Sequence, residues 1–350
     1  MNSIEENELM MTRRRFFGRM GTGVGTAALA SLVNQELLAA RSGNANARNA
    51  IGGLKGLPHG KPKAQRVIYL FQSGGPAQMD LYDPKPGLQK RYGEEVPTSV
   101  YPDERKTTMT SGQAAFPVAP SQFEFHRRGQ SGIELSETLP ALGHMADDIC
   151  VIRSGHTEAI NHDPAATFFQ TGSVVPGRPS MGSWVNYGLG SENADLPAFV
   201  ALTSGTGGQP LYDRLWGNGF LPGRFQGVKF RNQGDPILDL YNPPGVSPDM
   251  RRAMLDSVKR LNRMQYRDSA APEVQTRIAQ YELAYRMQSS VPELIDFKSE
   301  PKEQLDTYGP DVHKTGSYAY NCLMARRLAE RGVRFIQLYH RGWDHHGGLP

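Results

Sequence analysis

Arg66-Val-Ile-Tyr-Leu-Phe-Gln72, followed at once by Ser73-Gly-Gly-Pro76, is the stretch on which the fold reading turns. A β-branched and aromatic run closed by two glycines and a proline suits a buried strand. Working outward, a helix is expected over Leu135 to Met145, opened by Glu134 and Ser136, and a second short apolar strand at Ile149-Cys-Val-Ile-Arg153. Strand, helix and strand in that order predict an α/β fold with a mostly parallel sheet flanked by helices.

The pattern continues along the chain. Asn161-His-Asp163 leads into a helix from Pro164 to Gln170, with Asp163 a possible N-cap, and Leu196 to Leu202 reads as a third strand. Residues 203–246 are dense in Gly and Pro with few periodic apolar positions, which predicts a surface excursion. Ser247-Pro248-Asp249 opens a helix with Met254, Val258 and Leu261 on one face, and Val274, Ile278, Tyr281 and Tyr285 mark another. These stripes read as core or lid packing, in a loop-rich and helical insertion at about 203–310 of a domain spanning 66–350. Tyr318 to Glu330 is helical with Gly332 just beyond it, and Val333 to Tyr339 is a strand.

At the other end, Met11-Thr-Arg-Arg-Arg-Phe-Phe-Gly18 followed by Gly21 to Val33 has the order of a twin-arginine export signal. The apolar part falls short of the roughly 20 strongly apolar residues a bilayer span needs. Ala45-Asn46-Ala47 offers a cleavage site, with Leu38-Ala39-Ala40 as a competitor, so 1–47 is read as signal and 48–65 as linker. The expected location is the periplasm or cell surface, with the twin-arginine translocase as a partner during export. No 18-residue apolar run follows residue 50, so no transmembrane span is expected in the mature chain.

The net charge of +4 leans on Arg13, Arg14, Arg15, Arg19 and Arg41, which cleavage would remove. No basic patch with interleaved aromatics remains, which excludes a nucleic-acid partner. Cys150 and Cys322 each sit in an apolar context, where a buried free thiol is the commoner outcome.

Ligands of open parallel sheets gather beyond the carboxyl ends of the strands. Gln72-Ser-Gly-Gly75, Ser154-Gly-His156 and His340-Arg-Gly-Trp-Asp-His-His346 all stand at such ends. Asp344, His345 and His346 combine oxygen and nitrogen donors suited to zinc or manganese, and glycines around them allow the chain to bend; the other reading is a solvated polar loop. His156 and Asn161-His162-Asp163 form a second cluster, and His162 at a helix start would favour an anion. Ser73, Gly74 and Gly75 let backbone approach a ligand closely. The chain stops at Trp343-Asp-His-His-Gly-Gly-Leu-Pro350, directly after a strand, which reads as a truncation.

Taken together, Phe71-Gln-Ser-Gly-Gly-Pro76, Met79-Asp-Leu-Tyr-Asp-Pro-Lys85, Asn161-His-Asp-Pro164, Arg178-Pro-Ser-Met-Gly-Ser-Trp184 and Gly342-Trp-Asp-His-His346 resemble the exported bacterial family filed as domain of unknown function 1501. That family resembles the alkaline phosphatase and sulfatase superfamily, which implies an alkaline-phosphatase-like fold, here incomplete at the C-terminus. Pro164 and Thr171-Gly172 have the spacing of the sulfatase signature Cys/Ser-x-Pro-x6-Thr-Gly, and His162 stands where that signature has its nucleophile. The first strand departs too, with Ser73-Gly-Gly where the superfamily has a metal-binding Asp.

The resemblance implies a metal-dependent hydrolase of phosphate or sulfate esters. Its catalytic residues would be His162 and His156, its metal ligands Asp163, Asp344, His345 and His346, and its anion-contacting turn Ser73, Gly74 and Gly75. Further acid and His ligands would lie beyond Pro350. The alternative is a non-catalytic cell-envelope protein that keeps the fold and binds an anionic small molecule or a sulfated or phosphorylated glycan.

Overall fold

The computed structural model describes residues 52–100, 110–208, 211–238, 240–269 and 272–346. The export signal therefore lies outside the described residues. In chain order the strands are β1 Val67–Gln72, β2 Phe125–Arg128, β3 Ile133–Ser136, β4 Phe199–Ser204, β5 Val228–Lys229 and β6 Phe335–His340. The helices are α1 Pro86–Gln89, α2 Pro140–Gly143, α3 His162–Thr171, α4 Met181–Leu189, α5 Pro248–Ser269, α6 Pro272–Ile295, α7 Lys302–Asp306 and α8 Tyr318–Glu330.

Four strands form one parallel sheet in the order β1-β6-β4-β5, so the first and last strands of the sheet in sequence lie side by side. Side chains alternate across it as the pleat requires. Val200, Leu202, Ile336 and Leu338 face a core with α6 and α8, which supply Val291, Leu294, Leu323 and Leu328. Phe199, Ala201, Phe335 and Tyr339 face the opposite core, with Ala166 of α3 and Met181 and Val185 of α4. Each fully buried Leu, Val or Phe contributes ~1.5–3 kcal/mol. The result is a sheet flanked by helices on both faces, as the order of elements predicts. The buried strand expected at Arg66 to Gln72 is instead an edge strand, with Val67, Ile68 and Leu70 41%, 42% and 47% exposed.

The close fit of α4 to the sheet depends on Gly182, where a Cβ would come within 2.6 Å of the Phe199 ring. Ser180 and Ser183 hydrogen-bond each other at 3.0 Å below it, and Ser183 donates to Gly217 O at 2.9 Å. Those residues belong to the Arg178-Pro-Ser-Met-Gly-Ser-Trp184 stretch, whose small side chains are thus explained by packing.

Several expectations are corrected. Leu135 to Met145 is not one helix: Ile133–Ser136 is β3, paired antiparallel with β2, and only Pro140–Gly143 is helical. Pro140 disfavours helical backbone at Leu139, and Gly129 and Gly132, both with φ near 65°, close a hairpin whose turn amides are held by the Asp147 carboxylate at 2.9 Å. That same tie keeps the following segment beside the hairpin. Ile149 to Arg153 consequently forms no strand, Ile152 is 78% exposed and Cys150 is exposed rather than buried. Both cysteines are free.

Residues 203–246 are more than a surface excursion. Leu215, Trp216, Phe225, Phe230 and Leu240 are buried there and β5 extends the sheet; these residues occur singly in short turns, without a period to reveal them. In α5 the reverse holds. Ser247 Oγ caps the helix by accepting from Met250 N at 3.2 Å, but Met250, Met254, Val258, Leu261 and Met264 face solvent. The face turned to α6 is polar instead, with Arg252 and Lys259 on Glu282 at 2.9 and 2.8 Å.

Candidate functional site

β1 and β6 run in register, with Gln72 beside His340. Their pairing continues past both strands: Ser73 N donates to His340 O at 2.8 Å, and Trp343 N donates to Ser73 O at 3.1 Å. Gly74 makes that continuation possible. Its φ is +113°, and an added Cβ would overlap the Asp344 amide nitrogen and stand 2.8 Å from the Asp344 Cβ. The glycine turn and the Trp343-Asp344 backbone are thus in direct contact, as close approach by glycine allows.

Onto this junction α3 projects its first residue. His162 Nε2 lies 3.2 Å from Asp344 Oδ1, and His346 Nε2 lies 2.8 Å from the same oxygen. The Asp344 side chain is 14% exposed, whereas those of His162 and His346 are 42% and 56% exposed, so a shielded carboxylate carries two open imidazoles. Ser73, Gly74, Gly75, His162 and Asp163 line a cavity of about 200 Å³ beside it.

Asp163 is not the N-cap. The helix begins at His162 after an extended Asn161, whose carbonyl accepts from Ala165 N at 3.1 Å, Pro164 having no N–H to give. Asp163 lies in the first turn, where a carboxylate suits the helix dipole, and its Oδ1 is held by Arg214 Nη2. Arg214 Nε also donates to Thr167 Oγ1 at 3.0 Å, which fixes the guanidinium against α3.

The expected site residues therefore separate into two groups. Ser73, Gly74, Gly75, His162, Asp344 and His346 come together. Asp163 is turned to Arg214, His345 is exposed beside the cluster, and His156 pairs with Glu158 at 3.8 Å with its side chain 66% exposed. Sequence reasoning assigned no role to Arg214 or to His340. The latter stacks on Tyr318 with ring centroids 4.4 Å apart and accepts from Trp343 Nε1 at Nδ1, 3.2 Å away. The proton of the neutral ring is therefore on Nε2, and burial lowers its pKa. Burial also pushes the Tyr318 hydroxyl up to about 12. His340 closes a strand, and that position was its only signal.

Among the described residues no group of three or more His, Cys, Asp or Glu side chains is arranged in metal-binding geometry. The donor chemistry nevertheless fits. Two imidazole nitrogens lie 3.2 and 2.8 Å from one carboxylate oxygen, and these are donor types that zinc takes. Arg341 adds positive charge at the end of β6, its amide on Ser204 O at 2.9 Å and its Nε buried without a partner among the described residues.

A larger cleft of about 720 Å³ lies elsewhere, around Ala198 and Gly227 at the amino ends of β4 and β5. It holds no histidine, cysteine or paired carboxylates, so the smaller cavity is the one with chemistry.

Fold and site together define an α/β protein with a parallel sheet whose strand ends gather two imidazoles on a shielded carboxylate. Residues 64–350 match the family described as Protein of unknown function (DUF1501), and the chain belongs to that family. No curated protein and no solved structure matches the chain. No helix among the described residues is long and apolar enough to cross a membrane.

Proposed function

We propose that this protein is an exported, metal-dependent hydrolase of phosphate or sulfate esters, built on an alkaline-phosphatase-like fold and working in the periplasm or at the cell surface. The observation that carries the reading is the meeting of His162, Asp344 and His346 at the ends of β1 and β6. A zinc or manganese ion would take these three side chains as ligands, with His162 serving as donor rather than nucleophile. Such an ion, when bound, polarises an ester oxygen and lowers the pKa of a water.

The chain's own groups suit the anionic part of an ester. The first turn of α3 presents backbone N–H groups at the positive end of the helix, and the Ser73-Gly-Gly turn lines the same cavity. Arg214 neutralises Asp163, which would otherwise repel an anion at the helix start. Asp344, mostly shielded, holds both imidazole rings in place.

The test is metal analysis of the full chain together with assays on aryl phosphate and aryl sulfate esters. One equivalent of zinc or manganese and turnover of either ester are expected, with both lost in Asp344→Asn and in His162→Ala. A metal-free protein that is inert on both esters yet binds sulfated glycans would refute the enzyme reading in favour of an envelope anion-binding protein.

A further inference from the structure

The 720 Å³ cleft at the amino ends of β4 and β5 is within the ~300–1,000 Å³ range of small-molecule sites. One wall is β5 with the turn before it. The other is a face of α6 on which Ala279, Leu283 and Arg286 follow one another at i, i+4 and i+7, with Gln280 at its edge.

Several of its polar side chains have no hydrogen-bond or ion-pair partner among the described residues. Arg224 lies over the Phe225 ring at 4.5 Å and Lys229 over the Trp216 ring at 5.3 Å, and neither is within ion-pair distance of a carboxylate among the described residues. The side-chain amides of Asn186, Gln226 and Gln280 line the same space and make no hydrogen bond among the described residues. Asp213 is the one carboxylate of the lining, against the cations Arg224 and Lys229; the third cation, Arg286, is taken up by Ala194 O at 2.7 Å and Asp195 at 3.7 Å.

We propose that this cleft is a second ligand site, which takes a small sugar carrying a phosphate or sulfate group. Arg224 and Lys229 meet the anion, each placed over an aromatic ring that its charge favours. The amides, which can both donate and accept, suit the hydroxyl groups of the sugar. The site stands at the opposite end of the sheet from Asp344, and the inference is independent of the hydrolase reading.

Glucose 6-phosphate, glucose 6-sulfate and glucose are the probes, titrated into the full chain by calorimetry and by fluorescence of Trp216, which lies under Lys229. Saturable binding of at least one charged sugar is expected, about tenfold or more weaker in the exposed double variant Arg224→Gln/Lys229→Gln. Asp344→Asn should leave that affinity unchanged, and Trp216→Phe should abolish the fluorescence change while keeping the heat. Failure of both charged sugars to saturate, equal binding of glucose, or an affinity that moves with Asp344 and not with Arg224 and Lys229 would each overturn the proposal.

Discussion

Replacing Gln337 by leucine should destabilise the protein by about 2 kcal/mol, although leucine is the type of residue that a fully buried strand position favours. Gln337 sits in the middle of β6 with no exposure. Its Nε2 donates to Gln170 Oε1 at 2.7 Å, and its Oε1 lies 3.1 Å from the Tyr339 hydroxyl. Tyr339 would retain the Leu215 carbonyl at 3.2 Å, so its loss is small. Gln170, equally buried, would be left with an acceptor that no donor reaches, a loss of roughly 1–3 kcal/mol. Extra apolar burial by leucine offsets a fraction of that.

The double variant Gln170→Leu/Gln337→Leu removes the orphaned acceptor along with its donor. It leaves only the half-buried Tyr69 hydroxyl short of the 3.1 Å bond from Gln170 Nε2, so it should be less destabilised than the two single changes added together. Denaturant unfolding followed by circular dichroism reads this as midpoint shifts at constant slope, about 1 kcal/mol or more of coupling being expected. A neutral Gln337→Leu, or single effects that add within ~0.3–0.5 kcal/mol, would refute the argument. The network also matters to the site, because Gln170 and His162 are on the same helix, about 12 Å apart along its axis.

Arg327→Met should cost about 3–5 kcal/mol by denaturant unfolding. The guanidinium, 3% exposed, donates to the carbonyls of Leu294, Glu293 and Asp296 at 2.9, 2.9 and 3.0 Å and to Glu300, so it closes the end of α6. Gly74→Ala should strain the turn by ~1–3 kcal/mol and displace Asp344, read as weakened zinc binding in calorimetry with the far-ultraviolet spectrum unchanged. Hydrogen bonds from Arg252 and Lys259 hold the Glu282 carboxyl down at about 2. Because the folded pKa is depressed, this contribution is complete above the ordinary value near 4.5 and is lost as pH falls toward 2. Being a surface pair it is worth only ~0.5–1 kcal/mol, and Glu282→Gln should flatten the stability profile over that interval; an unchanged slope would count against the pair.

The strands β1, β4 and β6 were legible because each is a β-branched and aromatic run between breakers, α3 because Asn161-His-Asp163 leads into it, and α8 because Gly332 stands just past its end. Two other segments misled for opposite reasons. The α5 stripe has helical spacing, but period reports which residues share a face and not whether anything covers it. Trp216, Phe225 and Phe230 are core residues with no period, since turns rather than a regular element carry them inward. Candidate site residues were legible as chemistry at strand ends. Their grouping was not, because whether Asp344 meets His162 or Asp163 depends on where α3 starts, and a shift of one residue turns the side chain by about 100°. Gln337 was a signal within the sequence, a polar residue inside an apolar strand, whose meaning needs Gln170 across the layer.

The uncovered stripe of α5 also makes the surface of this protein chemically rewritable. Met250, Met254 and Met264 are 54%, 55% and 61% exposed, whereas Met287 and Met324 are 3% and 1% exposed. A mild oxidant meets the first set as accessible thioethers and turns each into a polar sulfoxide. The same helix then presents a hydrophilic outer face over an untouched interior, so the oxidation history of a sample sets how greasy its outside is.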